Sequence, residues 1–149
     1  MDYYMEEAFR EALQAYEDKE VPVGAVIIKD GEIIARAHNR IETRVDVTSH
    51  AEVMAIREAQ KKMGNWRLTG AIMYVTLEPC LMCMGAILHS RISELHIGTR
   101  DEERGAAVSK IPVIADELLP NNLTVYLHED ETCKYLLQRF FRELRKTKR

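Results

Sequence analysis

Along this chain the hydrophobic spacing switches repeatedly between the three-to-four step of a helix and the short apolar runs of buried strands, and the order of the switches leaves few architectures open. Met5, Ala8, Phe9, Ala12, Leu13 and Tyr16 predict an amphipathic opening helix, ended by Val21-Pro22-Val23-Gly24. Residues 25–28 and 33–37 read as two strands around Asp30-Gly31, a pair that tolerates the positive φ of a tight hairpin. A polar stretch over residues 39–48 leads into a helix at 49–62, stopped by Gly64-Asn65. Residues 71–77 predict a third strand, and Pro79 suits the first turn of a helix that runs to His89 and is apolar on nearly every side. Such a helix is expected to be buried, at a contact between subunits if not within the core. Strands at 94–98 and 123–127 flank an irregular polar segment. A last helix from Asp130 carries Cys133, Leu136, Leu137, Phe140, Phe141 and Leu144 on one face. The alternation predicts an α/β chain: a three-layer α/β/α sandwich, with a five-stranded mixed sheet covered by helices on both faces. It does not give the strand order.

With 149 residues, 46% of them hydrophobic, the chain is long enough for one sizeable core and is expected to form a single domain over residues 1–149. No apolar run approaches the roughly 20 residues that span a bilayer, and Asp2, Glu6, Glu7 and Glu11 are the reverse of a basic signal-peptide start. No membrane association and a cytoplasmic location are the expectation. The three cysteines suit a reducing compartment, since Cys80 and Cys83 stand at metal-site spacing instead of forming a disulfide framework. The net charge of -3 hides an uneven distribution. Residues 1–20 hold seven acids, whereas Lys134, Arg139, Arg142, Arg145, Lys146, Lys148 and Arg149 make the C-terminal end basic. Those cations either favour the negative end of a helix dipole or track phosphate.

His50-Ala51-Glu52 followed by Pro79-Cys80-Leu81-Met82-Cys83 is the signature of the zinc deaminases that act on nucleobases. One imidazole and two thiolates suit zinc, and three protein ligands leave a fourth tetrahedral position for water. Bound zinc lowers the pKa of water from 15.7 to about 7, worth roughly 12 kcal/mol. A neighbouring carboxylate, Glu52, can then carry protons between water, a ring nitrogen and the leaving amine. Each part also has a plainer reading. Ser49-His50-Ala51-Glu52 fits a capping box, in which Glu52 serves only the helix start. Cys80 and Cys83 fit a redox pair or a structural zinc site. The joint pattern favours catalysis, because a structural site needs a fourth ligand that no other His or Cys offers at ligand-like spacing. Cys133 falls on an apolar helical stripe and reads as core.

Over nearly its whole length the sequence resembles the bacterial tRNA-specific adenosine deaminases of the cytidine deaminase-like superfamily. The resemblance rests on Glu20-Val21-Pro22-Val23-Gly24-Ala25, Ala37-His38-Asn39-Arg40, Thr48-Ser49-His50-Ala51-Glu52 and Tyr74-Val75-Thr76-Leu77-Glu78-Pro79-Cys80-Leu81-Met82-Cys83. His89-Ser90-Arg91-Ile92, Asp101 with Gly105-Ala106, and Leu136-Leu137 with Phe140-Phe141-Arg142 extend it. It implies hydrolytic conversion of the wobble adenosine of a tRNA anticodon to inosine, by a homodimer with zinc (Zn2+) in each subunit. His50, Cys80 and Cys83 would be the metal ligands and Glu52 the catalytic acid and base. It further implies that Asn39 contacts the base edge, that Val23 helps line the pocket and that Asp101 contacts neighbouring nucleotides. Phe141 and Arg142 would contact the anticodon loop, although Phe141 equally fits core packing. Val47 replaces the usual proline, Leu119-Pro120-Asn121-Asn122 lacks a histidine, and residues 127–132 look shortened. Two other functions compete: zinc-dependent deamination of a free base or nucleoside such as guanine, cytosine or cytidine, and a non-catalytic zinc-stabilised binding module.

Overall fold

The computed structural model describes residues 1–116 and 121–147. Leu119 and Pro120 of the altered connection, and Lys148 and Arg149 of the basic end, lie outside the described residues. The order is α1 (Tyr3–Glu17), β1 (Gly24–Lys29), β2 (Glu32–His38), α2 (Ile41–Arg44), α3 (Ala51–Met63), β3 (Ile72–Leu77), α4 (Leu81–His89), β4 (Glu94–Thr99), β5 (Thr124–Leu127) and α5 (Glu131–Thr147). The sheet runs β2-β1-β3-β4-β5. β1 is antiparallel to both β2 and β3, while β3–β4 and β4–β5 are parallel, so the sheet is mixed as expected. Asp30 and Gly31 both adopt positive φ in the β1–β2 turn.

Alternation along β1 explains the layers. Val26 and Ile28 pack with Met5 and Ala8 of α1 and Cys133 of α5, whereas Ala25 and Ile27 pack with Ala51 and Ala55 of α3 and Met84 and Ile87 of α4. The three-layer sandwich is therefore present, with α1 and α5 on one face and α3 and α4 on the other. Gly24 lets α1 lie close on the sheet, because a Cβ there would sit 2.0 Å from the Ala8 carbonyl oxygen. Cys133 is core, as its stripe predicts, and burial pushes its thiol up to about 12.

Three details depart from the sequence reading. α4 starts at Leu81 with Cys80 as its N-cap, so Pro79 precedes the helix instead of opening its first turn. α4 is also not buried all round: Cys83, Met84 and Ile87 face the core, but Leu81 and Met82 are exposed because only one side of this short helix meets α3 and the sheet. Residues 39–48 are more ordered than their polarity suggests, since they include α2 and are fastened at both ends. The buried Glu20 carboxylate accepts the Glu42 and Thr43 N–H groups and the Thr43 hydroxyl. Asp46 accepts the Thr48 N–H and the Thr48 and Ser49 hydroxyls. Val47 is exposed beside these bonds, so the turn is held without a proline.

Within that connection Val45 has φ 50 and ψ 51, a left-handed conformation that a β-branched residue adopts only under strain. Its side chain is 91% exposed and returns nothing in packing. Val45→Asn should therefore raise stability by about 1 kcal/mol, read as an upward shift of about 2–4 °C in thermal melting. An unchanged or lowered midpoint would show that the loop relaxes its strain in solution.

Candidate active site

β2 and β3 run in the same direction, since each is antiparallel to β1, and β4 runs parallel to β3. Their carboxyl ends therefore share one edge of the sheet, the usual position for a site in an open α/β sheet. Asn39 follows β2, and Glu78, Pro79 and Cys80 follow β3, so the two halves of the motif converge there.

His50 is the N-cap of α3 and Cys80 the N-cap of α4, and neither side chain is spent on capping its helix. The amide of Ala51 is satisfied by Asn39 Oδ1 at 2.8 Å, which frees the imidazole to face the cysteines. His50 Nδ1 lies 3.5 Å from Cys83 Sγ and 3.8 Å from Cys80 Sγ, and the three donor atoms lie within 4.8 Å of one another. Tetrahedral bonds of about 2.3 Å to sulfur and 2.0 Å to nitrogen would separate such donors by about 3.6 Å, so the group fits a metal ion. Among the described residues it is the sole cluster of this kind, and Glu52 is outside it.

Glu52, in the first turn of α3, is 3% exposed. The capping box is not formed, because the Ser49 hydroxyl donates to Asp46 and the helix starts one residue later. Burial pushes the Glu52 carboxyl up to about 7, and the negative charge of Cys80 adds to the shift. A hydrogen bond from Cys83, helped by His50, holds the Cys80 thiol down at about 4, and the same bond and burial push Cys83 upward. The N-terminal end of α4 also favours the thiolate form of Cys80.

Glu78 lies beneath the cysteine turn, and its importance is invisible in the sequence. Burial alone would raise its pKa. The Ser109 hydroxyl and the N–H groups of Val108, Ser109 and Asp101 outweigh that and hold it below the usual carboxylate range. Ala107 N–H donates to it as well. This carboxylate ties β3 to the turn after β4, and Gly105 leaves room for it, since a Cβ there would sit 2.4 Å from Glu78 Cδ. A lone acid before Pro79 gives no hint of partners 23 to 31 positions downstream.

The other expected contact residues are spread out. Asn39 is buried beside the donors and Val23 is buried next to it, its carbonyl accepting the Asn39 N–H. Asp101 stands at the same sheet edge with Oδ1 taken by the Glu103 and Arg104 amides. Phe141 and Arg142 are on α5, in the layer opposite α3 and α4, and Phe141 is 40% exposed, so the chain does not use it as core. The described part of the basic end is helical to Thr147.

A metal-ready His-Cys-Cys group with a buried glutamate at the start of the same helix as its histidine is the arrangement of the nucleobase deaminases. The family model of the MafB19-like deaminases matches residues 1–145, and the chain belongs to that family. Among its relatives are the tRNA-specific adenosine deaminases of Bacillus subtilis, 45% identical over 99% of this chain and 92% of that protein, and of Aquifex aeolicus, 41% identical over 97% and 95%. A solved structure from a study of A-to-I editing by tRNA:A34 deaminases at the wobble position of transfer RNA superposes with a TM-score of 0.81 at 44% identity. It covers 84% of this chain and 96% of that one. A guanine deaminase from Bacillus subtilis gives a TM-score of 0.63 at 38% identity over 67% of this chain and 66% of that one.

Proposed function

We propose that the chain, acting as one deaminase domain, converts adenosine to inosine at the wobble position of a tRNA anticodon. The observation that carries the reading is the three-donor group with Glu52 buried alongside it, in a chain similar along nearly its full length to tRNA-specific adenosine deaminases. His50, Cys80 and Cys83 would hold zinc, which supplies a Lewis acid able to ionise water near neutral pH. Glu52 takes a proton from the attacking water and delivers it to N1 of adenine as the oxygen bonds to C6. It then moves the second proton to the exocyclic amine, which leaves as ammonia while the C6 carbonyl forms. The Asn39 oxygen is engaged by Ala51, so its amino group is the part left to meet an acceptor on the base edge. Val23, buried next to Asn39, backs that part of the pocket. Asp101 meets the flanking nucleotides, and Phe141 and Arg142 meet the anticodon loop, one by stacking and one by phosphate contact.

The apolar Leu81 and Met82 exposed on α4 suit burial against a second copy, which supports a homodimer. Among the described residues no helix is long and apolar enough to cross a membrane. A tRNA substrate and the free thiols of Cys80, Cys83 and Cys133 suit action in the cytoplasm.

The deciding experiment incubates the zinc-loaded protein with an anticodon stem-loop carrying adenosine at the wobble position, beside free adenosine, cytidine and guanine. Inosine in the stem-loop and no turnover of the free compounds is the expected result. Turnover of guanine alone would transfer the assignment to the free-base reading, which the guanine deaminase similarity favours as second choice. Full zinc content without turnover of any substrate would leave only a binding module.

A further inference from the structure

The chain is acidic overall, yet one cleft of about 420 Å³ gathers Arg36, Arg40, Arg44, Arg57 and Lys61. They come from β2, the α2 connection and the outer face of α3, so no single stretch of sequence is strongly basic. Two acids, Glu11 and Glu58, also line the cleft. Glu11 is engaged by His38 Nδ1 at 2.9 Å, and Arg36 by Glu7 at 2.7 Å. Among the described residues Arg40, Arg44, Arg57 and Lys61 make no ion pair with a carboxylate. The field of Arg57 reaches Asp46, whose oxygens are already taken by Thr48 and Ser49.

Position gives this charge its meaning. Arg40 follows Asn39 directly, and its N–H donates to the Ser49 carbonyl, so the cleft begins beside the donor group. Met54, Arg57, Glu58 and Lys61 occupy one stripe of α3, and at about 1.5 Å per residue the row from His50 to Lys61 extends roughly 16 Å away from the metal ligands. Arg57 and Lys61 are also like charges at i,i+4, an arrangement that mildly destabilises a helix and that a polyanion would relieve.

We propose that this cleft is a phosphate-binding track that holds the RNA backbone flanking the target nucleotide, separate from the basic end of α5. The inference rests on the tRNA reading above and adds a second anchor for the same substrate. RNA is the occupant the charge fits, because a strand leaving the site brings a row of phosphates to a row of cations left without carboxylate partners.

The test compares the zinc-loaded full chain with its Arg44→Gln/Arg57→Gln/Lys61→Gln variant, binding a wobble-adenosine stem-loop at several salt concentrations. Arg10→Gln, on the outside of α1, controls for the loss of one cation outside the cleft. Loss of three phosphate contacts should lower the slope of log affinity against log salt by about 2 and weaken binding about 10-fold or more at moderate salt. Zinc content and turnover at saturating substrate should stay at wild-type values, and the melting temperature should not fall, since the Arg57/Lys61 like-charge pair is removed. A variant with wild-type affinity and salt slope would overturn the track, including any case in which the cleft serves an acidic protein instead. A wild-type protein that forms no inosine in the stem-loop would overturn the underlying reading, so the two failures are distinguishable.

Discussion

Glu52→Gln is expected to keep the zinc proposed for the donor group and to lose turnover by about 10²–10⁴-fold, the range associated with a positioned general acid and base. Glutamine has nearly the volume of glutamate and can keep hydrogen bonds in the same pocket, but it cannot carry a proton from water to a ring nitrogen. The geometry explains why metal and activity should separate. Glu52 stands in the first turn of α3 just after His50, is almost wholly buried, and lies outside the group formed by His50, Cys80 and Cys83. Its carboxyl is pushed upward by burial toward neutrality, which suits the proton-carrying role proposed for it. The checks are zinc stoichiometry by elemental analysis and inosine formation under single turnover. Wild-type turnover would refute the proton route. Loss of zinc together with activity would make Glu52 a ligand and require a different carrier.

Much of this site was legible because its two halves are local. Cys80 and Cys83 share a helix start, and His50 and Glu52 share another, so spacing alone pairs the sulfurs and places the carboxylate near the imidazole. The sandwich was legible for a related reason: alternation in β1 and the stripes of α1 and α5 each report their own buried face. Features that depend on convergence were not legible. Nothing in the sequence orders the strands, and the order β2-β1-β3-β4-β5 is what brings the end of β2 to the end of β3. Glu20 and Glu78 read as ordinary acids, because the amides that donate to them lie 22 to 31 positions away. The basic cleft is hidden in the sequence for the same reason, its cations being distributed between residues 36–44 and 57–61 among intervening acids. The apolar run after Cys80 predicts burial in the core or at a subunit contact, and only the packing shows that Leu81 and Met82 face outward from the core.

The second large effect concerns the donor group itself. Cys83→Ala leaves His50 and Cys80, two donors that are both partly exposed, where three lie close enough to hold one ion. Cys83 is fully buried within the first turn of α4, and no other cysteine or histidine joins the group among the described residues, so nothing nearby replaces it. Since loss of even an outer hydrogen-bonding partner weakens metal affinity by about 10–100-fold, removal of a ligand should exceed about 100-fold. Turnover should vanish with the metal. A stability readout separates this from simple misfolding. A ligand present at about 1,000 times its dissociation constant stabilises the folded state by about 4 kcal/mol, so stripping zinc from the wild type should lower its melting point by roughly 10 °C. The Cys83→Ala protein should melt near the stripped wild type and ignore the chelator. Cys133→Ala, whose thiol is buried in the core between the sheet, α1 and α5, should keep both zinc and the chelator response. Glu52→Gln should keep them as well. A Cys83→Ala protein that retained a full complement of zinc would show that this thiol is not a ligand, and the open-position chemistry proposed for the site would have to be abandoned.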